Sequence, residues 1–190
     1  MILSIIGICL RSFLLLIGGV VLALSITLTK HQESGQAPSE TGFAAFTGAA
    51  GLLTSGLGMV ALWYERISGS LIVALDGIVS SFYLAGAIAF TIAMKSVLSC
   101  TATDNASVYS RATNSILNGG CDDSYDKLQE CPFAFTEDGK DLTPGRCQVA
   151  QADYVFEYAG FVFGVCMIFM SYLINRRGRG GTPLPSRAYH

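Results

Sequence analysis

Three acidic residues stand inside long apolar stretches of the sequence: Asp76, Asp153 and Glu157. A carboxyl group inside a membrane span is costly and marks a functional site by default, such as a proton relay or an ion path. Asp76 and Glu157 are therefore the acids of a hypothetical small proton, ion or solute transporter. At about 1.5 Å of rise per residue they lie near opposite interfaces, so direct pairing is not expected. No third acid or histidine near the midplane connects them, which favours acids that are locally hydrogen-bonded or reach the interface.

Four of the six cysteines lie in one polar stretch, residues 99–148: Cys100, Cys121, Cys131 and Cys147. Four cysteines allow three pairings, and the sequence does not choose among them. We favour Cys100 with Cys147, since each lies next to the end of a span, and Cys121 with Cys131. A zinc site is the rival interpretation, but the stretch has no CxxC pair and no histidine, so no metal is expected.

No catalytic set is visible, and the only histidines are His31 and His190. The sequence thus predicts neither an enzyme nor a cofactor. Asn105-Ala106-Ser107 is a glycosylation sequon, which makes Asn105 a candidate acceptor. Cys9 is interpreted as a buried apolar residue, with acylation as the alternative.

The composition explains which elements must position these residues. The chain has 190 residues, of which 51% are hydrophobic and 14% charged, and its mean hydropathy is +0.48. Four stretches reach the roughly 20 apolar residues that a membrane helix needs, namely 12–29, 43–64, 68–98 and 149–174. The sequence predicts an all-α bundle of four transmembrane helices over 1–175 and a basic tail over 176–190. A signal peptide cleaved near Ala23-Leu24-Ser25 is the rival interpretation of the first stretch.

Basic residues predict the orientation of this bundle. Arginines cluster beside the span ends on the side of the termini: Arg11, Arg66, Arg176, Arg177, Arg179 and Arg187. By the positive-inside rule both termini are cytosolic, and the 99–148 loop is then extracellular, where disulfides persist. We expect lipid headgroups to be contacted by Arg11, Arg176, Arg177 and Arg179.

Small residues line the predicted helices at helical spacing. They are Gly77, Ser81, Ala85 and Ala89 in the third span, and Gly160 and Gly164 in the fourth. Such residues let helix backbones approach closely in lipid. Packing within one bundle is the favoured interpretation, a homo-oligomer face is the alternative, and both hold if different stripes face different ways.

The order of four spans, a short first loop and a longer second loop edged by cysteines resembles the MARVEL-type tetraspan proteins. The closer resemblance is to the fungal non-classical export protein branch. It is carried by Leu10-Arg11, Leu75-Asp76 with Phe82, Ala85-Gly86, Ser99-Cys100, Arg146-Cys147-Gln148, Ala150-Gln151-Ala152 and Phe156. Tetraspanins fit less well because their Cys-Cys-Gly corresponds here to Gly119-Gly120-Cys121, and claudins carry their signature in a first loop that here lacks cysteine.

The resemblance implies a non-enzymatic scaffold that organises plasma-membrane domains of the eisosome type. The implied partners are membrane lipids (a sphingolipid, sterol or anionic lipid), other membrane proteins or a second copy of the chain, and no nucleic acid. A transporter built on Asp76 and Glu157 is the alternative from another class.

Overall fold

The computed structural model describes residues 2–33, 35–61, 69–121, 132–136 and 138–178. In this part of the chain the elements are α1 (Ile2–Lys30), α2 (Ser39–Ala61), α3 (Gly69–Met94), α4 (Asn105–Ala112), a short 3₁₀ turn (Pro132–Ala134) and α5 (Thr143–Gly178). Within these ranges no strand occurs, and extended pairing is limited to one bridge between Phe135 and Asp141.

Four of the helices, α1, α2, α3 and α5, are long and apolar enough to cross a membrane. The 26 residues of α3 span about 39 Å, which exceeds the roughly 30 Å of a bilayer core. The predicted all-α bundle with four membrane-length helices is therefore confirmed. Two helices are longer than the predicted spans: α1 continues through Arg11 to Ile2, and α5 begins at Thr143 rather than at residue 149.

The four long helices form a ring. Each of α1 and α3 packs against both α2 and α5. The helices α1 and α3 are therefore diagonal partners, and any contact between them must pass through the middle of the bundle. We call the end that carries α4 the cap end, and the other the termini end.

The distribution of residues in α2 is the reverse of that in a soluble helix. Its buried residues are small or polar, namely Thr41, Ala44, Thr47, Gly48, Gly51, Thr54, Ser55 and Gly58, whereas its large apolar residues, such as Leu53 and Phe46, are exposed. In lipid the outer face gains nothing from being polar, and close backbone approach holds helices together. A Cβ atom at Gly48 would lie 2.6 Å from the backbone nitrogen of Leu22, so α1 and α2 touch here through their backbones.

The segments 99–121, 132–136 and 138–142 fold into a cap over one end of the bundle. Helix α4 begins after Asp104, whose carboxylate accepts a hydrogen bond from the Ser107 amide at 3.0 Å, as an N-cap does. Ile116 and Leu117 are almost fully buried and join a cluster with Leu28 and Phe90 of the bundle. The cap and the helix ends therefore share one apolar core.

Candidate functional site: the polar interior of the bundle

An ion pair lies inside the bundle toward the termini end. Arg11 of α1 donates two hydrogen bonds to Asp76 of α3, from Nη1 to Oδ1 at 3.1 Å and from Nη2 to Oδ2 at 2.7 Å. Both residues are 5% exposed or less. The guanidinium occupies space that exists because residue 58 of α2 is glycine, since a Cβ there would overlap it. This two-bond geometry is the strong form of an arginine–carboxylate contact.

The expectation that Arg11 reaches lipid headgroups is wrong. Its charge is neutralised inside the bundle by Asp76, so the side chain has no need to extend to the interface and α1 continues as an uninterrupted helix on both sides of it. The other predicted headgroup contacts stay predictions. Arg176 and Arg177 lie in the last turn of α5, and Arg179 lies outside the described residues.

The centre of the bundle is occupied by Tyr83 of α3, which is 1% exposed. A glycine from each of the three other membrane helices faces it. A Cβ at Gly18 of α1 would lie 3.2 Å from its hydroxyl oxygen, one at Gly51 of α2 would overlap that oxygen, and one at Gly160 of α5 would lie 2.8 Å from its ring. The tyrosine fills the space that three missing side chains leave, and its hydroxyl has no hydrogen-bond partner among the described residues.

A small cavity of about 10 Å³ lies between this tyrosine and the ion pair. Its polar lining comes from Thr54, Ser55, Asp76, Ser80 and Tyr83. A polar cavity of this size is just large enough to admit one water molecule. The cavity therefore continues the polar interior from Asp76 to the tyrosine hydroxyl.

Two further acids lie on the cap side of Tyr83. Asp153 and Glu157 of α5 are four residues apart, on one face of the helix, and both are fully buried. Ser25 of α1 donates a hydrogen bond to Oδ2 of Asp153 at 2.7 Å, whereas both carboxyl oxygens of Glu157 lack a partner among the described residues. Glu157 lies against Gly86, ten residues along α3 from Asp76, a rise of about 15 Å. Asp76 and Glu157 are thus placed apart, with Tyr83 between them.

At the cap end, a disulfide joins Cys100 to Cys147, whose Cα atoms are 5.4 Å apart. This pairing was predicted and is confirmed. Cys121 is also disulfide-bonded, and its predicted partner Cys131 lies outside the described residues, so the second pairing stays a prediction. Asn105 is exposed as the first residue of α4, and its glycosylation likewise stays a prediction.

The cap is held to the bundle by two buried arginines. Arg111 of α4 donates hydrogen bonds to the carbonyl oxygens of Ser99 and Ala102 and to the side chains of Asp141 and Thr143. Arg146 of α5 donates to two carbonyl oxygens, those of Leu117 and Phe133, each at 3.0 Å. These hydrogen bonds therefore fix the cap against the first part of α5.

These features lie within a stretch that matches a known family. Residues 4–172 match the MARVEL family, described as a membrane-associating domain. The chain belongs to the MARVEL family. No curated protein and no solved structure matches it. MARVEL domains are membrane-associating and non-enzymatic, and in the described part of this one no group of three or more His, Cys, Asp or Glu residues is arranged to hold a metal ion.

The predicted packing residues of this MARVEL domain divide into two groups. Gly160 packs on Tyr83, and Gly164 faces Ser80 so closely that a Cβ would overlap its hydroxyl oxygen. Ser81 and Ala85 are exposed, while Gly77 and Ala89 are half-buried. Packing inside the bundle is therefore wrong for Ser81 and Ala85. A ladder with steps of four residues turns by about 40° at each step, so it does not stay on one helix face.

Two features of this interior were not predicted from the sequence. One is Tyr83, which was treated as an ordinary residue of the third span. The other is the small face of α2, whose spacing of three and four residues, from Thr41 through Gly51 to Gly58, was a readable signal of close helix packing.

Proposed function

We propose that this MARVEL protein is a non-enzymatic organiser of lipid and protein microdomains in the plasma membrane, of the eisosome-associated kind. The observation that carries the proposal is the separation of its surfaces. The polar and small residues face inward around Tyr83, and the outer surface of the bundle is broadly apolar, with Leu16, Leu53 and Phe169 each at least 59% exposed. A bundle of this kind offers lipid and neighbouring proteins its outer surface rather than a catalytic cleft.

The exposed part of the small-residue ladder gives this surface a place for close contact. Ser81 and Ala85 leave a shallow strip on the outside of α3, between exposed Ile78 and Ile88. Small side chains at a lipid-facing position let another helix, from a second copy or from a different membrane protein, approach closely.

The orientation we propose has both termini in the cytosol and the cap outside. It is supported by the arginines beside the termini end and by the Cys100–Cys147 bridge, since disulfides persist in oxidising compartments. Because the sequence resembles the fungal non-classical export proteins, we further propose that the protein is located at furrows of the plasma membrane.

The test is imaging of a fluorescently tagged copy in its native cell. We expect stable patches at furrows of the plasma membrane, and we expect the pair of substitutions Ser81→Trp and Ala85→Trp to disperse them. Ala23→Trp is the matched control, because it adds the same bulk as Ala85→Trp at an exposed alanine of α1, outside the strip. An even or internal distribution of the unaltered protein would overturn the proposal.

A proton or cation path is the second candidate function, and a specific observation favours it. Asp153 and Glu157 are both fully buried, four residues apart on one face of α5. Together with Tyr83 and the small cavity, the two acids form a polar line toward Asp76. The flux test uses purified protein in vesicles with an imposed pH gradient. Under this candidate Glu157→Gln abolishes a proton flux that Glu33→Gln, at an exposed loop acid, leaves intact. Absence of flux in the unaltered protein would remove the candidate.

A further inference from the structure

A second cavity, distinct from the polar interior, opens on the outside of the bundle at the cap end. It is a cleft of about 260 Å³ between the end of α3 and the first part of α5. Its polar lining is formed by Thr91, Lys95, Ser99, Gln151 and Tyr154, and the Cys100 half of the disulfide lies in its wall. The bridge ties the two sides of the cleft together, so the cleft is a fixed feature of the surface.

The depth of this cleft in the bilayer follows from the helix that forms it. The membrane-length part of α3 ends at Met94, and Lys95 is the next residue. The cleft therefore lies at the boundary between the hydrocarbon core and the headgroups on the cap side. One turn deeper, the hydroxyl groups of Thr91 and Tyr158 lie 3.2 Å apart and hydrogen-bond to each other, which suits hydroxyls that face lipid.

The charges of the cleft select an anion. Lys95 is exposed and has no salt-bridge partner among the described residues. The lining includes this one cation and no acid, while Asp153 and Glu157, on the same stretch of α5, point into the bundle and are fully buried. Gln151 and Tyr154 add neutral groups that hydrogen-bond to ester, amide or hydroxyl oxygens.

The volume of the cleft limits the size of the group that it can bind. At about 260 Å³ the cleft is smaller than most small-molecule pockets, which measure about 300–1,000 Å³, so it has room for a headgroup and its linkage but not for a whole lipid. The surface below it is apolar, with Ile88 and Ile92 of α3 and Val162 of α5 all at least 44% exposed. Acyl chains that leave the cleft toward the bilayer centre would lie along these side chains.

We propose that this cleft binds the phosphodiester headgroup of a phospholipid in the leaflet on the cap side, with the phosphate on Lys95 and the interfacial linkage on Gln151 and Tyr154. The inference rests on the proposed function, because it names the lipid chemistry that an organiser of membrane domains would select.

The test is native mass spectrometry of the full chain in detergent, titrated with three probes. These are phosphatidylglycerol, phosphatidylcholine and diacylglycerol, which share acyl chains and differ in the headgroup. We expect both phosphodiester lipids to stay bound and diacylglycerol to be lost. Lys95→Gln should weaken phospholipid retention about fivefold to tenfold, the loss of one charge-assisted contact. Lys30→Gln removes an exposed lysine that also lies at the cap end, at the end of α1 and outside the cleft. It should change phospholipid retention less than twofold.

Thr91→Trp provides a second variant that fills the cleft without removing the charge. It should weaken retention as Lys95→Gln does, while the Cys100–Cys147 bridge, checked on a non-reducing gel, reports that the cap has folded. Equal retention of diacylglycerol and phospholipid, or equal losses in the Lys30 and Lys95 variants, would overturn the inference. The proposed function fails separately, by an even cellular distribution of the unaltered protein, so the two failures are distinguishable.

Discussion

Arg11 and Asp76 form an ion pair across the middle of the bundle. They sit on α1 and α3, the diagonal partners of the ring, and their side chains meet in the middle with Nη2 2.7 Å from Oδ2. The pair thus fixes the rotation of both helices at the termini end. It also lets an arginine lie within the first membrane helix without being drawn to the interface.

Removing one member of this pair should be strongly destabilising. Arg11→Gln leaves the Asp76 carboxylate buried without its cation, and Asp76→Asn leaves the guanidinium without its anion. The expected cost of each is about 3–5 kcal/mol of unfolding free energy. The double variant should lose less than the sum of the two, because it leaves no unpaired charge. Unfolding in mixed detergent micelles, followed by circular dichroism, measures all three. Additive losses would contradict the pairing.

The three glycines around Tyr83 give a second prediction. Gly51→Ala and Gly160→Ala each place a methyl group against the tyrosine, so each should cost about 1–3 kcal/mol through overpacking. Gly56→Ala is the matched control on α2, since nothing lies within 4 Å of its Cβ position. Tyr83→Phe keeps the ring and removes the unpartnered hydroxyl, so it should be nearly neutral. The same unfolding assay measures these free energies. If Gly56→Ala cost as much as Gly51→Ala, the close packing of the glycines on Tyr83 would be refuted.

The features that could be predicted from the sequence are those that depend on the residues of a single span and its ends. Hydropathy located the four spans, and the positions of Cys100 and Cys147 beside span ends predicted their bridge. The rotation of each helix depends on its neighbours, so the ladder through Ser81 and Ala85 was assigned to the wrong face. The burial of Arg11 depends on an acid 65 residues away, and no local pattern reports such a partner.

Cysteine chemistry gives a third prediction. The free cysteines of the described chain are Cys9 and Cys166. Both are exposed on the bundle surface, so the interpretation of Cys9 as a buried residue is wrong. Of the six cysteines, we therefore expect two to react with a thiol reagent under denaturing, non-reducing conditions, and all six after reduction. Intact mass counts the labels. Four labels without reduction would mean that the Cys121–Cys131 bridge does not form, and a label on Cys100 would contradict the structure.

The cap should loosen in acid, and Asp141 is the group responsible. Burial acts to raise the pKa of its carboxyl, but hydrogen bonds from Thr143 and Arg111 and the charge of Arg111 outweigh it, so the pKa is lowered. A lowered pKa in the folded state contributes stability that is present above the unfolded value of about 3.9 and is lost as pH falls through the folded value. The cap should therefore be most protected near neutral pH and open progressively below about pH 4.

Hydrogen exchange of the α4 amides, corrected for the intrinsic effect of pH, measures this opening. Asp104 contributes with the same sign, because the Ser107 amide hydrogen bond lowers its pKa as well. Asp104 is fully exposed, so it should contribute less than Asp141 to the acid dependence of the cap. We expect Asp141→Asn to weaken protection at neutral pH and to remove most of its dependence on acid, whereas Asp104→Asn should leave most of that dependence in place. An acid dependence that survives Asp141→Asn unchanged would show that the contacts of Arg111 with Asp141 do not hold the cap.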